Sequence, residues 1–209
     1  AGILLIYGIQ ILWLPINGVI TLPPSIGQLV TVIIVLVTIN AVNFIDGLDG
    51  LAAGIVAIAG AAFFTFAYLL AVVWGFSRAG APSLMTAVLI GICLGFLPHN
   101  SHPARIFMGD SGSMFLGLLL ASAAITLTGQ VDPNAISAVE AGPTLLPLLL
   151  PFAVLAIPLA DLILAISRRV RAGRSPFAPD KDHLHHRLLS AGNSHVRTAV
   201  IMYLWTATL

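Results

Sequence analysis

Charge is what this sequence has least of: eight acidic and nine basic residues among 209, or 8%. Cysteine occurs once, at Cys93, and aromatic residues are also only 8%. So little charge excludes an ordinary soluble domain, in which roughly 25% of residues are charged. One cysteine excludes an internal disulfide framework, and Cys93 reads as a small packing residue inside an apolar run. There is no initiator Met and no leader-peptide pattern at the start. The last apolar run, beginning near 198, reaches Leu209 after about a dozen residues, short of the ~20 needed to cross a bilayer. Both features lead us to expect an interior piece of a longer chain.

What fills the sequence instead is apolar. Hydrophobic residues make up 58% and the mean hydropathy is +1.03. Hydropathy places spans near 1–19, 27–45, 51–75, 82–97, 113–129 and 143–167, with a truncated seventh from about 198. The expected fold class is therefore all-α, a polytopic integral membrane helical bundle in a single domain over 1–209. The third span, G-L-A-A-G-I-V-A-I-A-G-A-A, has the small residues of close helix packing.

Alternating the spans puts loops 40–50, 98–112 and 168–197 on one side of the membrane. Eight of the nine basic residues then fall on that side, and only Arg78 lies opposite. The positive-inside rule makes it the cytoplasmic face. Loop 130–142 on the other side has Asp132 and Glu140 and no basic residue. The run Arg168 to Arg174 reads equally as this topology signal, with attraction to anionic lipid, or as a substrate contact.

Three polar clusters share the basic face. The first, N-A-V-N-F-I-D-G-L-D-G (Asn40 to Gly50), sets Asn40, Asn43, Asp46 and Asp49 against the end of an apolar span. Four such side chains are costly beside hydrocarbon, and a helix end needs only one cap, so this is a functional site by default. The second, N-S-H-P-A-R-I-F-M-G-D-S-G-S (Asn100 to Ser113), precedes the fifth span. Gly109 and Gly112 flank Asp110 at an expected helix N-terminus, where amides and the dipole favour phosphate. Asp110 either caps that helix or holds Mg²⁺ against phosphate oxygens. Arg105 is placed to neutralise phosphate, and Phe107 to stack on a base or anchor at the interface. The third cluster, D-K-D-H-L-H-H-R-L (Asp180 to Leu188), offers His183, His185, His186 and Arg187 as converging donors for a diphosphate. In a helix His183 and His186 would share a face. Asp161, inside the sixth span, reads equally as a cavity-facing acid or as an ion-pair partner of Arg168 or Arg169, and Pro158 is expected to kink that span.

Together N-x-x-N-F-x-D-G-L-D-G-L, N-x-x-P-A-R-I-F-M-G-D-S-G-S and H-L-H-H-R-L resemble the polyprenyl-phosphate N-acetylhexosamine-1-phosphate transferases, in the family's motif order and over essentially the whole chain. The resemblance implies transfer of a sugar 1-phosphate from a UDP-sugar to a polyprenyl phosphate, with release of UMP. It implies Asp110 as a Mg²⁺ ligand, Mn²⁺ being the substitute, and Asn43 and Asp46 in the catalytic cleft. Asp49 and Phe107 would contact uracil, with Arg105 and Asn100 in the substrate site. His183, His185, His186 and Arg187 would meet sugar and phosphates.

The histidine loop is similar to that of the branch using UDP-N-acetylglucosamine. The muramoyl-pentapeptide branch, the alternative, has three consecutive histidines where Leu184 interrupts them here. An earlier cytoplasmic aspartate pair of the family has no counterpart, since no acid precedes Asp46, so N-terminal helices of the family fold are expected to be absent from this sequence. The expected partners are UDP-sugar, polyprenyl phosphate, membrane lipid and a second copy in a homodimer, with no nucleic acid. The expected location is the bacterial plasma membrane. A metal-ion or proton-coupled transporter would also place Asp and His near spans, but calls for midplane acids in related repeats. An intramembrane aspartyl protease pairing Asp110 with Asp161 would leave the first and third motifs unused.

Overall fold

The computed structural model describes residues 2–6, 8–14, 20–73, 79–130, 156–173, 175 and 184–208. Its helices are α1 (Gly2–Ile6), α2 (Pro24–Ile45), α3 (Leu51–Val72), α4 (Gly80–Asn100), α5 (Gly109–Gln130), α6 (Ala156–Arg171), α7 (Leu184–Ser190) and α8 (His195–Ala207). Four of them, α2 to α5, are long and apolar enough to cross a membrane. The protein is an all-α polytopic membrane bundle.

Each long helix is cut by local chemistry. Proline at the first position of α2 has no N–H to leave unpaired. Gly50, with φ +77°, takes the left-handed conformation that lets the chain reverse from the 46–49 turn into α3. On α2 the buried positions Gly27, Thr31, Val35, Thr38, Val42 and Ile45 recur at helical spacing. The exposed positions Ile26, Leu29, Ile33 and Leu36 form the opposite stripe, the face a bilayer solvates.

Helix α3 packs against α4, α5, α8 and α2, while α2 packs closely on α5. Phe63, Val56, Leu89, Cys93, Leu116 and Leu120 share the largest apolar cluster, which confirms Cys93 as a packing residue. Gly117 of α5 lets that helix approach the backbone of α2: a Cβ there would sit 2.8 Å from Ile39 Cα and 3.2 Å from the Thr38 carbonyl oxygen. That contact brings the C-terminal end of α2 beside the N-terminal end of α5.

The span expected at 1–19 is corrected. Among the described residues there, only Gly2–Ile6 is helical, and Trp13–Leu14 (β1) pairs antiparallel with Ile20–Thr21 (β2). Ile11 and Trp13 are buried, and the Ile11 N–H donates to Thr31 Oγ at 2.9 Å. Thr31 Oγ in turn donates to the Gly27 carbonyl at 2.7 Å, and a Cβ on Gly27 would strike the Ile11 carbonyl oxygen. Hydropathy registered the apolar content but not that α2 offers polar anchors to a non-helical strand. The expected loops are shorter than drawn, because α4 runs to Asn100 and α5 begins at Gly109. The expected loop 130–142 and most of the sixth span lie outside the described residues.

Candidate active site

The first two clusters meet at one end of the bundle. Asn43, in the last turn of α2, donates through Nδ2 to Asp110 Oδ1 at 3.2 Å and to Ser113 Oγ at 3.0 Å. Ser113 Oγ lies 3.2 Å from the carbonyls of both Gly109 and Asp110, so it ties the amide to the first turn of α5. One asparagine thus joins two helix ends and fixes the Asp110 carboxylate. Gly109, with φ +65°, provides the bend into α5.

Asp46, Gly47, Leu48, Asp49, Asn100, Phe107, Met108, Gly109 and Asp110 line a cleft of about 270 Å³. Burial, and then the negative charge of Asp110, push the Asp46 carboxyl up to about 6. A cation in the cleft would relieve the burial and repulsion that oppose ionisation of Asp46. The hard oxygens of Asp46 and Asp110 suit Mg²⁺ or Mn²⁺, which bind through one or two carboxylates plus substrate phosphate. Among the described residues no three His, Cys, Asp or Glu side chains form a closed cage. Two carboxylates lining one cleft would leave the remaining coordination of such a metal to substrate oxygens and water.

Asp49 behaves differently. Burial would raise its pKa, but the His102 hydrogen bond, the Ala104 amide and the charges of His102 and His195 outweigh it and hold it below the usual carboxylate value. Oδ2 of Asp49 lies 2.9 Å from His102 Nδ1 and 3.1 Å from the Ala104 N. Phe107 is 76% exposed at the rim, well placed to offer a ring face.

Asn100 is buried, with both ends of its amide engaged. Its Oδ1 accepts from the Gly50 N–H at 3.0 Å and its Nδ2 donates to the Ile106 carbonyl at 2.9 Å. It fastens loop 101–108 to the 46–50 turn and borders the cleft through that role. Arg105 is exposed, and its N–H closes the same loop onto the His99 carbonyl at 2.8 Å. Asn40 is also exposed, and its amide donates to the Leu36 carbonyl at 2.7 Å.

The third cluster reaches the same end through α7. Leu184, Leu188 and Leu189 pack against the group of Ile45, Leu48, Leu51 and Ile55 beneath the turn. His186 and Arg187 are exposed on this short helix. His183 and the side chain of His185 lie outside the described residues, as do the side chains of Asp161 and Pro158. Sequence reasoning missed Ser113, His102, His195 and Tyr203. Ser113 and His102 stand inside the second motif and were within reach, whereas His195 and Tyr203 come from far along the chain with no local signal.

The glycosyl transferase family 4 profile matches residues 1–128. The decaprenyl-phosphate N-acetylglucosaminephosphotransferase of Mycobacterium tuberculosis is 57% identical over 124 residues, 59% of this chain and 31% of the relative. The protein of the same name from Mycolicibacterium smegmatis is 53% identical over 128 residues, 61% of this chain and 32% of the relative. The undecaprenyl-phosphate alpha-N-acetylglucosaminyl 1-phosphate transferase of Salmonella typhi is 34% identical over 105 residues, 50% of this chain and 26% of the relative. The chain thus aligns with about a third or less of the length of each. With the profile match spanning the helices that build the cleft, the chain belongs to glycosyl transferase family 4.

Proposed function

We propose that this protein transfers N-acetylglucosamine 1-phosphate from UDP-N-acetylglucosamine to polyprenyl phosphate and releases UMP. The observation that carries the reading is the convergence of Asp46 and Asp110 in one cleft at one end of the bundle, with Asp110 anchored by Asn43. The names of the mycobacterial and Salmonella relatives support the sugar and the lipid acceptor. The motif resemblance supports the UDP donor. The step would be the first membrane reaction of cell-envelope polysaccharide synthesis. We place the cleft on the cytoplasmic face of the bacterial plasma membrane, from the basic residues that share its side.

In this mechanism Asp110 and Asp46 would hold Mg²⁺, which supplies charge neutralisation at the diphosphate and at the departing UMP. Asn43 and Ser113 keep the Asp110 carboxylate fixed, so no reorganisation is needed as charge develops. An oxygen of polyprenyl phosphate attacks the sugar-bearing phosphorus, and the bond from that phosphorus to the bridging oxygen breaks as UMP leaves. The acceptor phosphate is already ionised, so the residues act by positioning and electrostatics rather than as a strong base. Asp49 and Phe107 bind the uracil, while His183, His185, His186 and Arg187 reach the sugar and phosphates.

The test is to incubate the full-length protein in detergent with UDP-N-acetylglucosamine, polyprenyl phosphate and Mg²⁺. UMP should appear in step with lipid-linked sugar and cease on chelation. Release of UDP instead would mean that sugar moves without its phosphate, which overturns the reading. Metal uptake into vesicles with no nucleotide released would favour a transporter.

A further inference from the structure

The acid that the proposed reading gives to the nucleobase does not stand alone. Among the described residues, the hydrogen bonds of Asp49 fall on Oδ2, one from His102 and one from the Ala104 N–H. A carboxylate offers about four acceptor sites, so Oδ1 remains for a ligand in the cleft that Asp49 lines. His102 is itself 40% exposed and could swing away. Its ring instead lies flat on that of His195, with centroids 4.6 Å apart and planes 5° apart.

His195 opens α8, whose first turn is capped by Ser194 Oγ accepting from the Arg197 N–H at 3.3 Å. Further along α8, Tyr203 donates from its hydroxyl to the Gly50 carbonyl at 2.6 Å, and its ring fills the space a side chain on Gly54 would need. Helix α8 therefore grips the turn twice: at Gly50 directly, and at Asp49 through the two stacked imidazoles. A short side chain with two free torsions would otherwise sample several rotamers. Fixing it beforehand removes that cost from ligand binding.

We infer that His102, backed by His195, is a positioning residue that commits one Asp49 oxygen to the protein and turns the other toward an N–H of the donor's base. A carboxylate oxygen accepts and cannot donate. It therefore selects a base with a ring N–H, as uracil has at N3, over cytosine, whose N3 is itself an acceptor. The inference rests on the nucleotide reading above.

The experiment uses the full-length protein with UDP-N-acetylglucosamine and with its N3-methyluracil analogue. His102→Phe keeps a ring to stack on His195 and removes the donor, whereas His102→Asn keeps an N–H near the Nδ1 position. Losing one charge-assisted hydrogen bond should raise the donor KM of His102→Phe about tenfold. Its kcat and its KM for polyprenyl phosphate should stay within about twofold, and its discrimination against the N3-methyl donor should shrink in step. His102→Asn should recover most of the donor KM, and His195→Ala should raise it by a smaller factor of about threefold. A wild-type donor KM in both His102→Phe and His195→Ala overturns the inference. So does an equal rise in both substrates' KM, or no rescue by His102→Asn. Should His102→Phe fail to accumulate, His195→Ala with unchanged N3-methyl discrimination overturns it alone. Absence of UMP from the wild-type protein would instead overturn the enzymatic reading, and this inference with it.

Discussion

Two aspartates three residues apart sit in one turn and are pushed in opposite directions by their surroundings. Asp46, half-buried and close to the charge of Asp110, is raised to about 6, while Asp49, also partly exposed but bonded to His102 and Ala104, is lowered. The lowered value fixes the sign of a pH effect. Asp49 adds stability above its ordinary pKa near 3.8, and that contribution fades as pH falls through the range below it. Thermal unfolding of wild type and Asp49→Asn should therefore differ at pH 6, with the gap closing as pH falls below 3.8. A gap that persists into acid would mean that Asp49 is held by something other than its ionised contacts. The raised value of Asp46 makes a separate expectation: protons and Mg²⁺ compete there, so the Mg²⁺ needed for half-maximal turnover should climb as pH drops below about 6. A flat Mg²⁺ requirement across pH 5 to 7 would take Asp46 out of the metal site. These residues were legible in the sequence because charge beside hydrocarbon is rare enough to stand out. Their partners were not, since a bond such as Asn43 to Asp110 spans 67 positions and leaves no local periodicity.

Helix packing decides whether those residues meet at all. Gly117 lets α5 press against the backbone of α2 at Thr38 and Ile39, one turn before Asn43. Gly117→Val would force the two helices apart, because the neighbouring atoms belong to backbone and cannot rotate away. We expect a loss of about 1–3 kcal/mol, read as a fall in unfolding temperature in detergent, with a larger fall in turnover as Asn43 draws off Asp110. Unchanged stability and turnover would show that the junction does not depend on this approach. Spans two to five were readable from hydropathy, since each is an unbroken apolar run and its ends are marked by Pro, Gly or a polar cluster. The first expected span was not. Ile11 and Trp13 are buried in an extended segment that Thr31 of α2 holds at the Ile11 N–H rather than laid along a helix, and composition alone cannot tell those outcomes apart. Helix α8, short by the measure of a bilayer, turned out to matter through Tyr203 and His195 rather than through its length.

At the scale of the whole molecule, the first two motifs and the described part of the third, carried by α7, gather at one end of the bundle. With Cys93 replaced by Ala, a cysteine at Ser175 should be labelled only from the cytoplasmic side and one at Asn134 only from outside. The reverse pattern would place the cleft away from the nucleotide pool and end the transferase account. The proposed chemistry requires that Asp110, fixed by Asn43 and sharing the cleft with Asp46, hold Mg²⁺ while the sugar 1-phosphate is transferred. The most direct test is Mg²⁺-dependent UMP release by full-length Asp110→Asn, inserted and expressed at wild-type level. The substitution keeps the shape and removes a hard anionic ligand, so turnover should fall by about a hundredfold or more, with the protein's folding unchanged. UMP release near the wild-type rate would contradict the account.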